Sequence, residues 1–144
     1  MSNSLAVLAI VSLTLFSACS KKEDTPPAST TTNFTATING AQQVPAVTST
    51  ATGEFLGAYD SGTKQLTYTV TYRGLTPTIA HIHIGAPGVK GVVAIPFANL
   101  TSPITGTVTL SLSQADNLLN NSMYVNMHSN AYPDGEIRGN ISKK

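Results

Sequence analysis

Apolar and polar residues alternate with a period of two along most of the chain. In the clearest segment, QLTYTVTY at 65–72, Leu66, Tyr68, Val70 and Tyr72 share one face, and three threonines share the other. This alternation is typical of an antiparallel strand with one buried face. Seven further segments show a similar pattern: 33–40, 50–59, 78–85, 92–100, 104–112, 123–129 and 135–142. The pattern predicts about eight strands.

The breaks between these segments carry turn residues. They are DSG at 60–62, GLTP at 74–77, GAPG at 85–88 and YPDG at 132–135. Glycine, proline, asparagine and aspartate each favour tight reversals of the backbone. Strands at this spacing predict an all-β fold, a single Greek-key β-sandwich or barrel. The short turn at 132–135 further predicts that the last two strands pair as a hairpin.

One segment, SQADNLLNN at 113–121, does not alternate. Ser113 is a candidate N-cap, and Leu118 and Leu119 can be buried together on a helical face. We therefore expect one short helix, crossing an end of the sandwich.

The N-terminus has the layout of a secretory signal. Residues 5–18, LAVLAIVSLTLFSA, are apolar and uncharged, but too short for a comfortable membrane span. The only cysteine, Cys19, follows at once. FSAC resembles the lipobox of bacterial lipoproteins, which implies lipidation at Cys19. A plain cleaved signal with an incidental cysteine is the alternative.

These observations divide the chain into three parts. Residues 1–18 are expected to be a signal peptide, 19–32 a lipidated cysteine with a flexible tether, and 33–144 the domain. The tether expectation rests on its charged, then Pro/Ser/Thr-rich composition. Its KED run resembles sorting signals of outer-membrane lipoproteins, so we expect an anchor in the outer membrane, on the periplasmic or the outer surface.

Charge excludes one class of partner. The net charge is +1 and only 10% of residues are charged, so the chain has no basic footprint for nucleic acid. We expect contact with the membrane through the lipid, and with a protein or glycan partner that the sequence does not identify.

The chain has three histidines, and strand alternation places all of them on polar faces. His81 and His83 lie opposite Ala80, Ile82 and Ile84, while His128 shares its face with Tyr124 and Asn126. Glu136 and Arg138 share a polar face of the last strand. If the strand at 78–85 lies beside the C-terminal hairpin, all these polar side chains meet on one outer surface.

Two interpretations of this surface stay open. The leading one is structural: the histidines hydrogen-bond a carboxylate such as Glu136 or Asp134, and Glu136 pairs with Arg138 at the surface. The alternative is a copper or zinc site. Its ligands would be His81, His83 and His128, with water or Glu136 completing the set and with Asn126, Glu136 and Arg138 as supporting residues.

Longer motifs carry a family resemblance. AHIHIGAPGVKGVVAIPF at 80–97 and MYVNMHSNAYPDGEIRGNI at 123–141 resemble the CHRD domain. INGAQQVPAVTSTATGEF at 38–55 resembles its opening segment, where a glutamate usually stands at the position of Gln43. The resemblance covers 34–142 and implies an extracellular β-sandwich module. It does not imply the growth-factor binding of chordin, which other modules of that protein carry.

A fainter resemblance is to the copper–zinc superoxide dismutase barrel, which also has an H-x-H strand and a copper site on its outer side. The chain has three histidines and one cysteine, too few for that enzyme's ligands and disulfide. Dismutase activity is therefore not implied.

The expected function is that of a cell-envelope lipoprotein whose domain acts as a non-catalytic binding or structural module. The sequence has no nucleophile elbow and no phosphate-binding glycine loop. A copper- or zinc-binding protein is the alternative, and a metal-dependent redox enzyme at the same histidines is the third hypothesis.

Overall fold

Eight antiparallel strands and one short helix make up the fold. The computed structural model describes Ala28 and residues 30–144. The predicted signal peptide at 1–18 and the predicted lipidation at Cys19 lie outside these residues. The strands are β1 (Thr31–Asn39), β2 (Thr52–Asp60), β3 (Gln65–Arg73), β4 (Ile79–Ile84), β5 (Val92–Pro96), β6 (Ile104–Thr109), β7 (Met123–His128) and β8 (Ile137–Lys143); helix α1 (Leu112–Leu119) lies between β6 and β7.

The strands form one curled sheet in the order β5-β4-β7-β8-β1-β2-β3-β6. Every pairing in it is antiparallel. The predicted all-β class with about eight strands and one short helix is confirmed. The hairpin prediction is also confirmed, because β7 pairs with β8. β1 begins at Thr31, so the last two residues of the predicted tether belong to the first strand.

The concave face of the sheet holds the core. On β3 the predicted alternation is observed, with Leu66, Tyr68 and Val70 buried and the threonines on the other face more accessible. Phe55 stacks on Tyr68, and Tyr68 packs against Phe97 beyond β5. Because β3 and β5 are far apart in the strand order, these contacts show that the sheet curls around one apolar core.

Three strands depart from the expected pattern, because β4, β7 and β8 are buried on both faces. The prediction that their polar face lies open at the surface is wrong. Chain segments from three places cover it. Gln42 accepts hydrogen bonds from Asn140, the carbonyls of Ala86 and Val89 accept from Arg138, and Ser49 donates to Glu136. The cover turns a sheet surface into an enclosed polar layer.

The helix begins earlier than its sequence predicted. Its N-cap is Ser111, whose hydroxyl accepts from the Gln114 backbone while the Gln114 side chain accepts from the Ser111 backbone. The prediction of Ser113 as the N-cap is wrong, because this reciprocal capping box satisfies two backbone donors at once. Ala115 and Leu118 are the buried residues of the helix. Within the described residues, no helix is long and apolar enough to cross a membrane.

Replacing Ser111 with alanine is expected to lower the free energy of unfolding by about 1 kcal/mol, the usual cost of a lost N-cap. Urea denaturation followed by circular dichroism measures this loss. Ser113→Ala, two residues further on at an exposed helical position, is the matched control and should change stability by less than about 0.5 kcal/mol. Equal effects of the two substitutions would contradict the assigned cap.

Candidate metal centre

The register between β4 and β7 brings the three histidines together. His81 lies opposite Asn126, His83 opposite Tyr124, and His128 opposite Ile79. The ring centroids of His81 and His83 are 4.5 Å apart, and those of His81 and His128 are 4.9 Å apart. One ring nitrogen from each histidine lies within 4.8 Å of the other two. The expectation that β4 lies beside the C-terminal hairpin is therefore confirmed.

His83 is held in one orientation by two neighbours. Its Nδ1 lies 3.0 Å from the carbonyl oxygen of Gly91, and its ring stacks on Tyr124 at 4.6 Å with 3° between the planes. A carbonyl oxygen can only accept, so Nδ1 carries the proton and Nε2 keeps its lone pair. Nε2 is buried and finds no hydrogen-bond partner in the part of the chain that the structure describes.

His128 is oriented in the same way. Its Nδ1 lies 2.8 Å from the carbonyl oxygen of Pro133, which leaves the lone pair on Nε2. This Nε2 lies 3.2 Å from Nδ2 of Asn126. The third histidine, His81, has a buried Nδ1 without a partner among the described residues. The cluster thus offers three imidazoles, two of which are fixed by backbone carbonyls in a single tautomer.

Burial favours the neutral form of His81 and His83. Burial, and then the neighbouring His83 and His128, lower the pKa of His81 from 6.5 to about 4. Burial also lowers the pKa of His83, against the opposing effect of its hydrogen bond with Gly91. Neutral imidazole is the form that binds a metal, and the lowered pKa values keep His81 and His83 in this form at neutral pH.

The same pKa shift predicts how the metal-free protein responds to acid. Unfolded His81 takes up a proton as the pH falls through about 6.5, whereas the folded protein resists protonation until about pH 4. Stability is therefore expected to fall between these two values, by roughly 3 kcal/mol in total, of which about 2 kcal/mol is lost by pH 5, and to show no further loss from this group below about pH 4. Urea denaturation in the presence of a chelator, at pH 7.5 and at pH 5, measures the change.

A His81→Gln variant is the control for this pH dependence, because it removes the titrating ring. Its stability should fall less than that of the wild type between pH 7.5 and pH 5. An equal fall in the two proteins would contradict the role of His81.

Arg138 holds the loop that covers His83. Its side chain is 1% exposed, its guanidinium carbon lies 3.5 Å from the Tyr124 ring centroid, and it donates to the carbonyl oxygens of Val89 and Ala86 at 3.0 and 3.1 Å. It also donates to Asn140. Since β7 lies between β4 and β8, the Tyr124 ring is stacked between an imidazole and a guanidinium group.

Glu136 does not take the part that the sequence predicted for it. Its carboxylate accepts a hydrogen bond from the Ser49 hydroxyl at 2.7 Å, and it is not among the clustered ligand groups. The predicted surface pair of Glu136 with Arg138 is wrong, since both side chains are buried and the described donor contacts of Arg138 go to carbonyl groups and Asn140.

Gln43 contacts the histidine cluster indirectly, through Asn126. Gln43 Nε2 donates to Asn126 Oδ1 at 2.5 Å, and both side chains are buried. The sequence singled out Gln43 only as a departure from a family pattern. The backbone carbonyls of Gly91 and Pro133, which orient two histidines, were missed because a carbonyl leaves no signal in residue type. A cleft of about 140 Å³ is lined by His83 and His128 together with Lys90 and Asp134.

Fold and site together define an all-β domain with a covered polar layer, in which three histidines of two neighbouring strands meet. The family model of the CHRD domain matches residues 34–141. The chain belongs to the CHRD family. Comparisons with curated proteins and with solved structures give no match.

Proposed function

We propose that this CHRD domain binds one transition-metal ion through His81, His83 and His128. The observation that carries the proposal is the orientation of the rings. His83 and His128 direct their Nδ1 atoms at backbone carbonyls, and metal-binding histidines are typically oriented by a hydrogen bond of this kind. The three rings meet in one cluster, in which one ring nitrogen of each histidine lies within 4.8 Å of the other two.

The unpaired nitrogens support the proposal energetically. A buried polar atom without a partner destabilises the folded state, and native proteins contain few of them. Two of the three such atoms among the described residues, His81 Nδ1 and His83 Nε2, belong to this cluster. A metal ion would accept lone pairs that the protein leaves unused.

Geometry also fits an ion. Three nitrogens bound at about 2.0–2.1 Å in a tetrahedral arrangement are about 3.3 Å apart. The ring nitrogens, all within 4.8 Å of one another, would close by at most about 1.5 Å, which small side-chain rotations supply. The cleft between Lys90 and Asp134 leaves room for water at the remaining position.

Imidazole ligands suit copper and zinc, and divalent copper generally binds such sites more tightly than zinc. We infer that the domain holds the metal without turning over a substrate. In support, the cleft at the cluster measures about 140 Å³, whereas pockets for small organic ligands measure roughly 300–1,000 Å³.

The test is a titration of the soluble chain 25–144 with Cu(II) and Zn(II) against a chelator of known affinity. We expect one ion per chain and tighter binding of Cu(II). A ligand at 100 times its dissociation constant stabilises a fold by about 2.7 kcal/mol, so Tm should rise by roughly 10 °C or more. Binding below one equivalent in the wild type, or one equivalent retained by a His81→Ala, His83→Ala variant, would overturn the proposal.

We also propose that the protein is anchored to the cell envelope by lipid on Cys19, so that the domain works outside the cytoplasm. The apolar run at 5–18 and the adjoining FSAC support this anchor. Cys19→Ser should move the protein from the membrane fraction to the soluble fraction. A variant that stays in the membrane fraction would exclude Cys19 as the anchor.

A further inference from the structure

The hydrogen bonds around His128 assign a role to Gln43 and Asn126. We propose that the Asn126 amide, held by Gln43, is a displaceable cap on the ligand nitrogen of His128. This inference rests on the proposed metal site. We call these two side chains the Gln43–Asn126 cap. They set how tightly the site holds its metal, because the ion must displace the cap before all three histidines can bind.

The Pro133 carbonyl fixes the donor and acceptor of each hydrogen bond that runs from His128 through Asn126 to Gln43. The Pro133 oxygen accepts only, so His128 Nδ1 is the donor and Nε2 is an acceptor. Asn126 must then turn its amide nitrogen, which donates, toward Nε2. Its Oδ1 consequently faces away and accepts from Gln43. Reversing the Asn126 amide would set an oxygen lone pair against a nitrogen lone pair.

The cap has little room to move. Gln43 and Asn126 are 8% and 5% exposed, and they pack against Gly135, whose φ is +120°. A Cβ atom at position 135 would lie 2.6 Å from Gln43 Nε2 and 2.8 Å from Asn126 Oδ1. Only glycine suits both this backbone conformation and this contact, so the turn at 132–135 lies directly against the two amides.

The cluster is therefore asymmetric. His83 Nε2 and His81 Nδ1 have no partner among the described side chains and backbone groups, whereas His128 Nε2 is already engaged by an amide. Metal binding at His128 exchanges that hydrogen bond for a metal bond. Since a hydrogen bond of this kind is typically worth a factor of about two to ten in an equilibrium constant, the cap lowers metal affinity by a similar factor.

Two substitutions of Gln43 test the cap. Gln43→Met removes the anchoring donor without adding charge, so Asn126 is released and metal affinity should rise by about two- to tenfold. Gln43→Glu supplies an acceptor instead of a donor. Asn126 then turns its amide nitrogen toward the carboxylate and its oxygen toward His128, where the oxygen can join the metal.

For Gln43→Glu we expect Cu(II) affinity at least tenfold above that of the wild type, and an additional oxygen donor in the Cu(II) electron paramagnetic resonance spectrum. Gln42→Glu is the matched control for charge, because it adds the same carboxylate one residue away, where the side chain contacts Asn140 rather than Asn126. The Cu(II) spectrum of Gln42→Glu should match that of the wild type.

Damage to the fold would weaken metal binding, whereas release of the cap strengthens it. Variants Gln43→Met and Gln43→Glu that both bind Cu(II) no more tightly than the wild type would overturn the inference. The inference would also be overturned if Gln42→Glu showed the same increase in Cu(II) affinity and the same Cu(II) spectrum as Gln43→Glu.

The cap can also be examined without metal, which separates it from the proposed function. In the metal-free wild type, nitrogen NMR of His128 should show a protonated Nδ1 and an unprotonated, hydrogen-bonded Nε2. This result together with a failure to bind metal would overturn the proposed function and leave the hydrogen-bond chain established. A protonated Nε2 on a neutral His128 ring would overturn the cap itself, whether or not metal binds.

Discussion

Replacing His83 with alanine is expected to weaken the binding of Cu(II) and Zn(II) at least about 100-fold. Loss of a residue that only orients a ligand typically costs 10- to 100-fold in metal affinity, and His83 is assigned as a ligand itself. Its Nε2 is buried and carries the lone pair, and its ring lies in the cluster with His81 and His128. Competition titration against a chelator measures the loss.

Ile79→Ala is the matched control for this prediction. Ile79 lies on the same face of β4, two strand positions before His81, and is 54% exposed. Its replacement should leave metal affinity within about threefold of the wild type, because a small exposed truncation typically changes stability by less than 0.5 kcal/mol. A His83→Ala variant whose metal affinity matches that of Ile79→Ala would exclude His83 as a ligand.

Replacing Arg138 with alanine is expected to destabilise the fold by about 3–5 kcal/mol. The substitution removes the hydrogen bonds that the guanidinium group donates to Val89, Ala86 and Asn140, although the Ala86 carbonyl keeps the Val89 backbone N–H as a donor, and it opens a cavity beside the Tyr124 ring. Cavities left by large buried side chains and lost hydrogen bonds to a charged group are both established causes of losses this large. Urea denaturation in the presence of a chelator measures the change without any contribution from metal.

Two further variants, Arg73→Ala and Arg138→Lys, serve as controls for this prediction. Arg73 is exposed and donates to the Thr52 hydroxyl, so its loss should cost less than about 0.5 kcal/mol. Lysine at 138 keeps the charge but lacks the planar fork that reaches two carbonyls and Asn140, and should recover less than half of the loss. Equal stability of Arg138→Ala and Arg73→Ala would contradict the structural role of Arg138.

Arg138 should also affect the proposed metal site at a distance. It holds the loop at 85–91 through Ala86 and Val89, and the same loop supplies the Gly91 carbonyl that orients His83. The two largest expected effects are thus connected through one loop. Arg138→Ala protein that remains folded should bind Cu(II) more weakly than the wild type, in the 10- to 100-fold range of residues that orient a ligand.

Much of the fold could be predicted because its signal is local. The alternation of apolar and polar residues with a period of two identified the strands and their apolar faces, since the side chains of a strand point alternately to its two sides. The turn at 132–135 identified the β7–β8 hairpin for a similar reason. The helix was found but its start was placed two residues late, because Ser111 and Ser113 are both plausible caps and only the Gln114 contact distinguishes them.

The candidate site was predicted in part. His81, His83 and His128 were singled out from their faces, and the structure brings them together because β4 pairs with β7. The register that makes their nitrogens converge is a long-range property, and no residue near His81 encodes the position of His128. The supporting contacts were missed for a related reason, since backbone carbonyls orient the rings.

By itself the sequence determined an all-β domain with three histidines on polar strand faces, because periodicity acts between neighbours in the chain. Only the tertiary structure decided that this polar face is covered. Its cover comes from residues far away in sequence, with Gln42 reaching Asn140 over 98 positions and Arg138 reaching Ala86 over 52. Burial by distant loops depends on how the strands pair, and it is this burial that lowers the pKa values of His81 and His83.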